Sequence, residues 1–191
     1  MKAELQKQLI EKHPEFFSYL KDYNGPVIPI QFGFECGDGW YDLLNSLMGQ
    51  IKSYTEYNIK RKRIKNGYIR FIYNYIGDIS NKLPHKYSKY LLKLRKNISK
   101  KVKWEEYKVF QPINVTQIKE KFGGLRFYTN GHDDLVGGMI WLAEHMSYNI
   151  CEHCGSTKNV SQTKGWITTL CEDCMKEINN KRLDTQLKIK I

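Results

Sequence analysis

Two closely spaced cysteine pairs are the feature that most constrains how this 191-residue chain can fold. Cys151 and Cys154 form the first pair and Cys171 and Cys174 the second, so that together they read C-x2-C-x16-C-x2-C. Two cysteines three positions apart on a tight turn can direct both sulfurs at one ion, and two such turns complete a tetrahedron. The spacing therefore predicts a structural Zn²⁺ site whose four positions are all filled by thiolates, which leaves none for water or substrate.

Disulfides and an iron site are the alternatives to zinc. The stretch Met1–Lys7 is not followed by an apolar run of signal-peptide length, so we expect a reducing, cytoplasmic compartment, where paired C-x2-C motifs favour metal. The longest apolar stretch, Leu135–Ala143, is far shorter than the about 20 residues of a membrane span, and we expect no membrane partner. Cys36 is predicted to be a small buried residue, and His153 an exposed side chain rather than a ligand.

The residues around the cysteines predict a turn, a hairpin and a helix. Gly155 allows the chain to reverse after the first pair, and Thr163–Leu170 is predicted to form a strand pair around Lys164 and Gly165. The second pair begins a helix whose apolar residues recur at helical spacing: Met175, Ile178 and Leu183. This order is typical of a treble-clef zinc finger, with a plain zinc ribbon as the second choice.

The whole sequence predicts an α+β fold, with helices around a central β-hairpin or small antiparallel sheet. We expect residues 1–146 to form an α+β domain with a basic helical insertion at 52–103, and residues 147–191 to form the zinc-binding module. Apolar spacing predicts these helices before the insertion: Lys2–Lys12, Glu15–Leu20, and a long one from Trp40 to at least Tyr54 with Leu44, Leu47, Met48 and Ile51 on its buried face. Asp38 is predicted to be the N-cap of the long helix, and Val27–Phe34 reads as extended.

A hairpin followed by a helix is predicted after the insertion. Phe122–Leu125 is the turn between the β-like stretches Val109–Lys121 and Arg126–Thr129, because its glycines allow positive φ. Asp133 or Asp134 is expected to cap a helix that runs through Met146. The residues expected to face inward on this helix are Leu135, Met139, Leu142, Ala143 and Met146.

The positive charge of the chain is concentrated in one segment. Lys52 through Lys103 contains 16 basic and 2 acidic residues, whereas the rest of the chain contains 15 and 18. Two lysine-rich helices separated at Pro84 are the predicted content, although Tyr68–Ile76 is rich enough in isoleucine and aromatic residues to be a strand. A local excess of this size indicates either a polyanionic partner or a solubilising surface.

Six cations in and after a basic run are the candidate nucleic-acid contacts: Lys60, Arg61, Lys62, Arg63, Lys65 and Arg70. Cations neutralise phosphates, and the seven tyrosines of the same segment could stack on unpaired bases. The alternative is that the tyrosines pack the two helices together while the lysines keep them soluble. The same surface could also bind an acidic host protein.

Four motifs in one order resemble a family of small proteins encoded by bacteriophages and prophages. They are Gly37–Leu44, the KEKFGGLRFY stretch within Gln117–Tyr128, Ile150–Gly155, and Gly165–Cys171. The resemblance implies a phage-type accessory protein of the host cytoplasm and carries no catalytic assignment. The basic insertion at 52–103 has no counterpart in these motifs.

Grouped carboxylates are the remaining candidate for function. Glu35, Asp38 and Asp42 precede the first long helix and could hold Mg²⁺ for phosphodiester cleavage, although capping accounts for Asp38 as well as for Asp133. The cysteines have no H-N-H-type histidine pair near them, which a treble-clef nuclease would need, and His132 stands alone beside Asp133. We therefore expect a non-enzymatic protein that binds nucleic acid, with a protein-binding effector that inhibits a host factor and a Mg²⁺-dependent nuclease as alternatives.

Overall fold

The computed structural model describes residues 1–20, 33–59, 61–106 and 112–189. Within these ranges the chain is α+β, as predicted. The α-helices are Ala3–Lys12 (α1), Tyr41–Ile59 (α2), Gly67–Lys82 (α3), His85–Lys101 (α4), Asp134–Ser147 (α5) and Glu172–Ile189 (α6). The strands are Phe34–Glu35 (β1), Lys62–Ile64 (β2), Trp104–Glu106 (β3), Val115–Lys121 (β4), Gly124–Thr129 (β5), Val160–Gln162 (β6) and Thr169–Cys171 (β7). None of these helices combines the length and the apolar character that crossing a membrane requires.

The chain divides into two compact units. The first unit comprises Met1–Ser53 together with Phe110–Ile191, and the second unit is Tyr54–Val109. The basic insertion that we expected at 52–103 falls almost wholly in the second unit. The cysteine-bearing residues after 146, expected to be a separate module, group with the first unit.

The centre of the first unit is a three-stranded sheet in the order β1-β4-β5. β4 and β5 form the predicted hairpin, and β1 adds to β4 in parallel. Phe122 and Gly123 form a two-residue loop in which both φ angles are positive, 53° and 76°, as a type I′ turn requires. Ile118 and Phe127 lie opposite each other in this hairpin and are both buried.

The helices near the N-terminus follow the predictions, with one correction. α1 and a 3₁₀ helix at Pro14–Leu20 occupy the expected positions, and the predicted buried face of α2 is buried throughout. Asp38 is not the N-cap of α2. It opens a 3₁₀ turn, Asp38–Trp40, and its carboxylate accepts the Lys2 backbone N–H at 2.7 Å. Most of the predicted extended stretch Val27–Phe34, and residues 109–111 of the predicted strand, lie outside the described residues.

The cap of α5 is confirmed, but most of its predicted buried face is wrong. The Asp133 side chain accepts the Val136 backbone N–H at 2.9 Å. Leu135, Leu142 and Met146 are each about half exposed, at 54%, 54% and 47%. The buried residues of this helix are Val136, Ile140, Ala143 and Ser147, so that only Ala143 was placed correctly.

Hydrogen bonding to a sheet edge explains why α5 is rotated from the apolar pattern. β5 is an edge strand, and its outward N–H groups need acceptors. The Ser147 hydroxyl accepts the Leu125 N–H at 2.8 Å, and the Glu144 carboxylate accepts the Phe127 N–H at 2.9 Å. Two polar side chains therefore face the sheet, and several large apolar residues of α5 face solvent.

The second unit is a helical hairpin with a two-stranded sheet. α3 and α4 pack against each other on either side of Pro84, which confirms the two predicted helices, and the strand alternative for Tyr68–Ile76 is wrong because those residues lie within α3. The Asn66 side chain caps α3 by accepting the Ile69 N–H. The antiparallel pair β2–β3 was not predicted.

Candidate metal centre and basic pocket

The four paired cysteines converge on one point. Their sulfur atoms all lie within 4.8 Å of one another, and the Sγ atoms of Cys154 and Cys171 are 3.6 Å apart. A tetrahedron with metal–sulfur bonds of about 2.3 Å has sulfur–sulfur edges of about 3.8 Å. The cysteine cluster, Cys151, Cys154, Cys171 and Cys174, therefore has the donor set and the dimensions of a tetrahedral metal site.

Local backbone geometry brings each pair to the cluster. The Gly155 N–H donates to the Cys151 carbonyl at 2.8 Å, and Gly155 has φ of +79°, so the chain reverses there as predicted. Cys171 ends β7, and Cys174 lies in the first turn of α6. A hairpin does lie between the pairs, but most of the predicted strand pair Thr163–Leu170 is its loop, because β6 ends at Gln162 and β7 begins at Thr169.

An apolar surround supports the cysteine cluster. Leu170 is buried with three of the four cysteines, and Val160, Met175 and Ile178 pack around them. This confirms the inward face predicted for the start of α6, whereas the side chain of Leu183 lies outside the described residues. His153 is exposed, as predicted, with its Nδ1 3.5 Å from the Cys174 sulfur. Cys36 is buried and lies outside the cluster.

The thiols of the cysteine cluster differ in their affinity for protons. Burial raises the pKa of Cys151, but N–H groups of Cys171, Cys154 and His153 outweigh burial and lower that pKa to about 7. Burial of the Cys174 thiol, together with its hydrogen bonds to the neighbouring cysteine sulfurs, raises the pKa of Cys174. Deprotonating all four thiols in so small a space requires a compensating positive charge, which a divalent ion supplies.

Glycines of the Gly37–Leu44 motif pack directly on the backbone of the first cysteine pair. A Cβ atom on Gly39 would overlap the Cys151 carbonyl oxygen, and one on Gly37 would overlap the Glu152 carbonyl oxygen. The Gly39 N–H donates to the Glu152 carbonyl at 2.8 Å, and the Trp40 indole N–H donates to the Ile150 carbonyl at 3.0 Å. This glycine joint explains why the motif needs residues without side chains.

The hairpin motif makes a second joint to the cysteine-bearing residues. The Thr169 hydroxyl donates to the Gly123 carbonyl at 2.5 Å, and Thr169 is completely buried. A Cβ atom on Gly123 would lie 2.7 Å from the Gln162 amide nitrogen, and one on Gly124 would lie 2.5 Å from the Tyr148 ring. The motifs of the first unit thus serve to pack its elements together.

The carboxylates proposed for Mg²⁺ do not gather. Among the described residues, the cysteine cluster is the group in which three or more His, Cys, Asp or Glu side chains lie close enough to share a metal ion. Glu35, Asp38 and Asp42 do not come together in such a group. The backbone N–H of Lys2 lowers the pKa of Asp38, and the Lys2 ammonium lies 3.4 Å away. The His132 ring bonds the Thr129 hydroxyl at 2.9 Å.

Four of the predicted nucleic-acid contacts meet in one cavity of the second unit. Arg61, Lys62, Arg63 and Arg70 line a cavity of about 470 Å³. The remaining lining residues are Ile64, Tyr73, Asn74, Arg95 and Trp104. Among the residues that the structure describes, the lining of this basic pocket has five cations, two aromatic rings and no carboxylate.

The other two predicted contacts lie elsewhere. Lys65 lines an adjoining cavity of about 460 Å³ together with Lys101 and Lys103, and its N–H donates to the Lys103 carbonyl. Lys60 lies outside the described residues. Cations that lie close together in the sequence therefore line two different cavities.

The arginines of the basic pocket are held in position by neighbours. The Arg63 guanidinium donates to the Glu105 carboxylate at 2.7 Å across the β2–β3 pair. Arg70 donates to the Ile64 carbonyl at 3.4 Å. The Arg95 guanidinium lies 4.3 Å from the centre of the Tyr73 ring. Fixed guanidinium groups lose less side-chain entropy when a ligand binds.

Sequence reasoning missed Arg95, Tyr73, Asn74 and Trp104. Trp104 reaches the pocket because β3 pairs with β2 in a register that sets it opposite Ile64. Arg95 reaches it because α4 packs on α3, where a Cβ atom on Gly77 would come within 2.9 Å of the Arg95 guanidinium carbon. The one signal in the sequence was a glycine within an amphipathic helix, which often marks close approach.

Most aromatic side chains of the second unit face solvent. Those at least 56% exposed are Tyr57, Tyr68, Phe71, Tyr75, Tyr87 and Tyr90. The alternative that the tyrosines pack the two helices together is therefore wrong for most of them. Phe71 and Tyr75 stack on each other with ring centres 6.1 Å apart.

Fold and sites together define an α+β protein with a four-cysteine site suited to one metal ion and a separate arginine-rich cavity. Comparisons with protein-family models, with curated proteins and with solved structures find no match for this chain.

Proposed function

We propose that this chain is a non-enzymatic, zinc-stabilised accessory protein of phage type that binds nucleic acid through its second unit. The observation that carries the proposal is the basic pocket, whose described lining has five cations and no carboxylate, in a unit where most of the described aromatic side chains face solvent. Cations attract phosphates, and exposed rings stack on unpaired bases, so that the combination suits a single strand.

Zinc is the proposed occupant of the cysteine cluster. Four sulfur donors at tetrahedral spacing suit Zn²⁺, and an all-thiolate site has no open position, so the ion would hold the fold together. The order of elements favours a treble clef over a ribbon: a turn with the first pair, the β6–β7 hairpin, and α6 with Cys174 in its first turn. The host cytoplasm, as a reducing compartment, would keep the thiols available for the metal.

A salt series tests nucleic-acid binding directly. Fluorescence anisotropy with a short single-stranded oligonucleotide should show an affinity that falls steeply as salt rises. If about six phosphates are engaged, the association constant should fall by two to three powers of ten between about 50 mM and about 200 mM salt. Absence of binding at the lower concentration would contradict the proposal.

A charge-reversal pair locates the binding surface. Arg61→Glu with Lys62→Glu should abolish binding, because both residues line the basic pocket. Lys158→Glu with Lys164→Glu makes the same change in net charge at exposed positions of the first unit and should leave most of the affinity. Equal losses in the two variants would mean that only net charge matters.

An acidic protein partner is the competing outcome. Charge complementarity could direct the same surface to a host protein. Co-purification from nuclease-treated host lysate separates the two. A stoichiometric protein that survives both nuclease and high salt, with no oligonucleotide binding, would replace the nucleic-acid proposal.

A further inference from the structure

We infer that the basic pocket recognises the terminal phosphomonoester of a nucleic-acid strand, with the adjoining base stacked on Trp104. The inference rests on the proposed function and names the part of the strand that this cavity takes. The inference starts from the cavity that the cations line. Its volume of about 470 Å³ is typical of small-ligand sites.

Charge favours a chain end over an internal linkage. A terminal phosphate carries about −1.5 to −2 charges at neutral pH and presents three acceptor oxygens, whereas an internal phosphodiester carries a single charge and has two unbridged oxygens. The two carboxylates closest in the sheet are already opposite cations: Glu105 accepts from Arg63, and Glu106 is the register partner of Lys62. Arg70 and Arg95 add two further positive charges to the lining, which suits a doubly charged anion.

Arg95 supplies a donor that lacks an acceptor. Its Nε is shielded from solvent and has no hydrogen-bond partner among the described residues. A buried donor without an acceptor is unfavourable, and natural proteins rarely retain one without a reason. The Arg95 guanidinium stacks on Tyr73, and the missing side chain of Gly77 leaves room for it. The stacking fixes the guanidinium of an arginine that lines the cavity, so its positive charge is already in place for an anion.

Trp104 provides a fixed surface for a base. Its indole N–H donates to the Ser99 carbonyl at 3.0 Å, and its ring meets Tyr73 edge-on with ring centres 5.9 Å apart. The ring is nevertheless 40% exposed, so one part of it is available. A base stacked there would place its own phosphate toward the arginines, with Asn74 as an amide group able to bond a base edge.

Oligonucleotides that differ only at their ends test the inference. The zinc-loaded full chain is titrated with internally labelled single strands of one sequence that carry a 5′-phosphate, a 3′-phosphate or hydroxyl groups, and with the circular form. One of the two phosphorylated strands should bind about tenfold tighter than the hydroxyl-ended strand, as expected for one added charge-assisted hydrogen bond. The circular form should match the hydroxyl-ended strand.

A matched pair of variants assigns the preference to the pocket. Arg95→Gln should abolish the preference for phosphorylated ends, measured as the ratio of the affinities for the phosphorylated and the hydroxyl-ended strands, because any loss of general binding lowers both affinities alike. Lys89→Gln removes the same charge from an exposed position of α4 and should keep the preference. If Arg95→Gln fails to fold, as judged by its helical circular dichroism, Arg70→Gln takes its place.

The outcomes separate this inference from the proposed function. Equal binding of all four strands would overturn recognition of the end and leave nucleic-acid binding intact. Binding of none of them at low salt would overturn both. A nucleoside monophosphate could displace the labelled strand as effectively as the unlabelled phosphorylated strand does. That result would support the phosphomonoester site and assign it to free nucleotides.

Discussion

The two units differ in whether they bury aromatic side chains. In the first unit Phe16, Phe17, Phe34, Trp40 and Phe127 are all at most 3% exposed and form much of its core. In the described part of the second unit no phenylalanine, tyrosine or tryptophan is buried, and the buried apolar side chains are Ile64 and Ile76. These five buried rings stabilise the first unit, although it also exposes rings such as Trp166, whereas every described ring of the second unit is at least partly exposed.

Glycines show the same contrast. In the first unit, Gly37 and Gly39 let one stretch of backbone approach another. In the second unit, Gly77 makes room for a charged side chain that lines a cavity. Residues that look like functional motifs are therefore packing residues in the first unit. The residues that we propose to bind a ligand lie in the second unit, where the sequence shows mainly a high lysine and tyrosine content.

Removing the metal should have the largest effect, and it should act on the first unit. We expect one Zn²⁺ per chain by elemental analysis, and loss of dispersed amide resonances of the first unit in a strong chelator, since structural zinc contributes on the order of 10 kcal/mol to folding. Cys174→Ser should lose the metal. Cys36→Ser, which changes a buried cysteine outside the cluster, should keep it. A chain that stays folded without metal would contradict a structural role for the metal in the first unit.

The glycine joint should be the next most sensitive feature. Gly39→Ala should lower the free energy of unfolding by about 3 kcal/mol, because its Cβ would overlap backbone atoms of Cys151 and Gly155 that cannot move aside. Gly138→Ala is the control, since a Cβ there meets nothing within 4 Å, and it should be neutral or stabilising by up to about 1 kcal/mol. Urea denaturation measures both, and similar values for the two would disprove the joint.

Exchanging one tryptophan in each unit tests where ligands bind. Trp104→Ala should weaken oligonucleotide binding by about 1 to 3 kcal/mol through lost stacking. Trp166→Ala removes a ring of the first unit that is 83% exposed and should leave binding unchanged. Anisotropy titrations at one salt concentration give both values, and a larger loss from Trp166→Ala would move the binding surface to the first unit.

The smallest expected effect concerns Gly77. Gly77→Ala should leave stability within about 1 kcal/mol, because the better helix propensity of alanine offsets crowding against a flexible side chain. The displaced Arg95 guanidinium should nevertheless reduce the preference for a phosphorylated end by about threefold, roughly 0.7 kcal/mol. Thermal melts and titrations measure the two effects independently. An unchanged preference would show that Arg95 tolerates the displacement.

Features set by neighbouring residues were predicted well from the sequence. The two C-x2-C pairs, the turn within Phe122–Leu125 and the Asp133 cap each depend on a few adjacent positions, although the positive φ falls on Phe122 and Gly123 and not on both glycines. Long periodic segments such as α2 were also predicted, because many apolar residues agree on one face.

Features set by distant pairing were not. The buried face of α5 follows from Ser147 and Glu144 bonding an edge strand, which an apolar pattern does not contain. β2 and β3 are three residues each and pair across about 40 positions, too short and too distant to show as alternation. Arg95 and Trp104 join the basic pocket only once that pairing is known.

The glycine joint also determines which changes this chain can accept over evolution. Gly39 meets the carbonyl oxygen of Cys151 and the backbone nitrogen of Gly155, so this contact depends on the path of the backbone and not on side chains between them. Divergent relatives could therefore exchange His153 freely, yet an insertion between Cys151 and Cys154 would push the polypeptide into the opposing loop. The number of residues between Cys151 and Cys154 should therefore stay constant even where their identities change. The hairpin loop at Lys164 and Gly165 can lengthen, because a Cβ on Gly165 meets nothing within 4 Å.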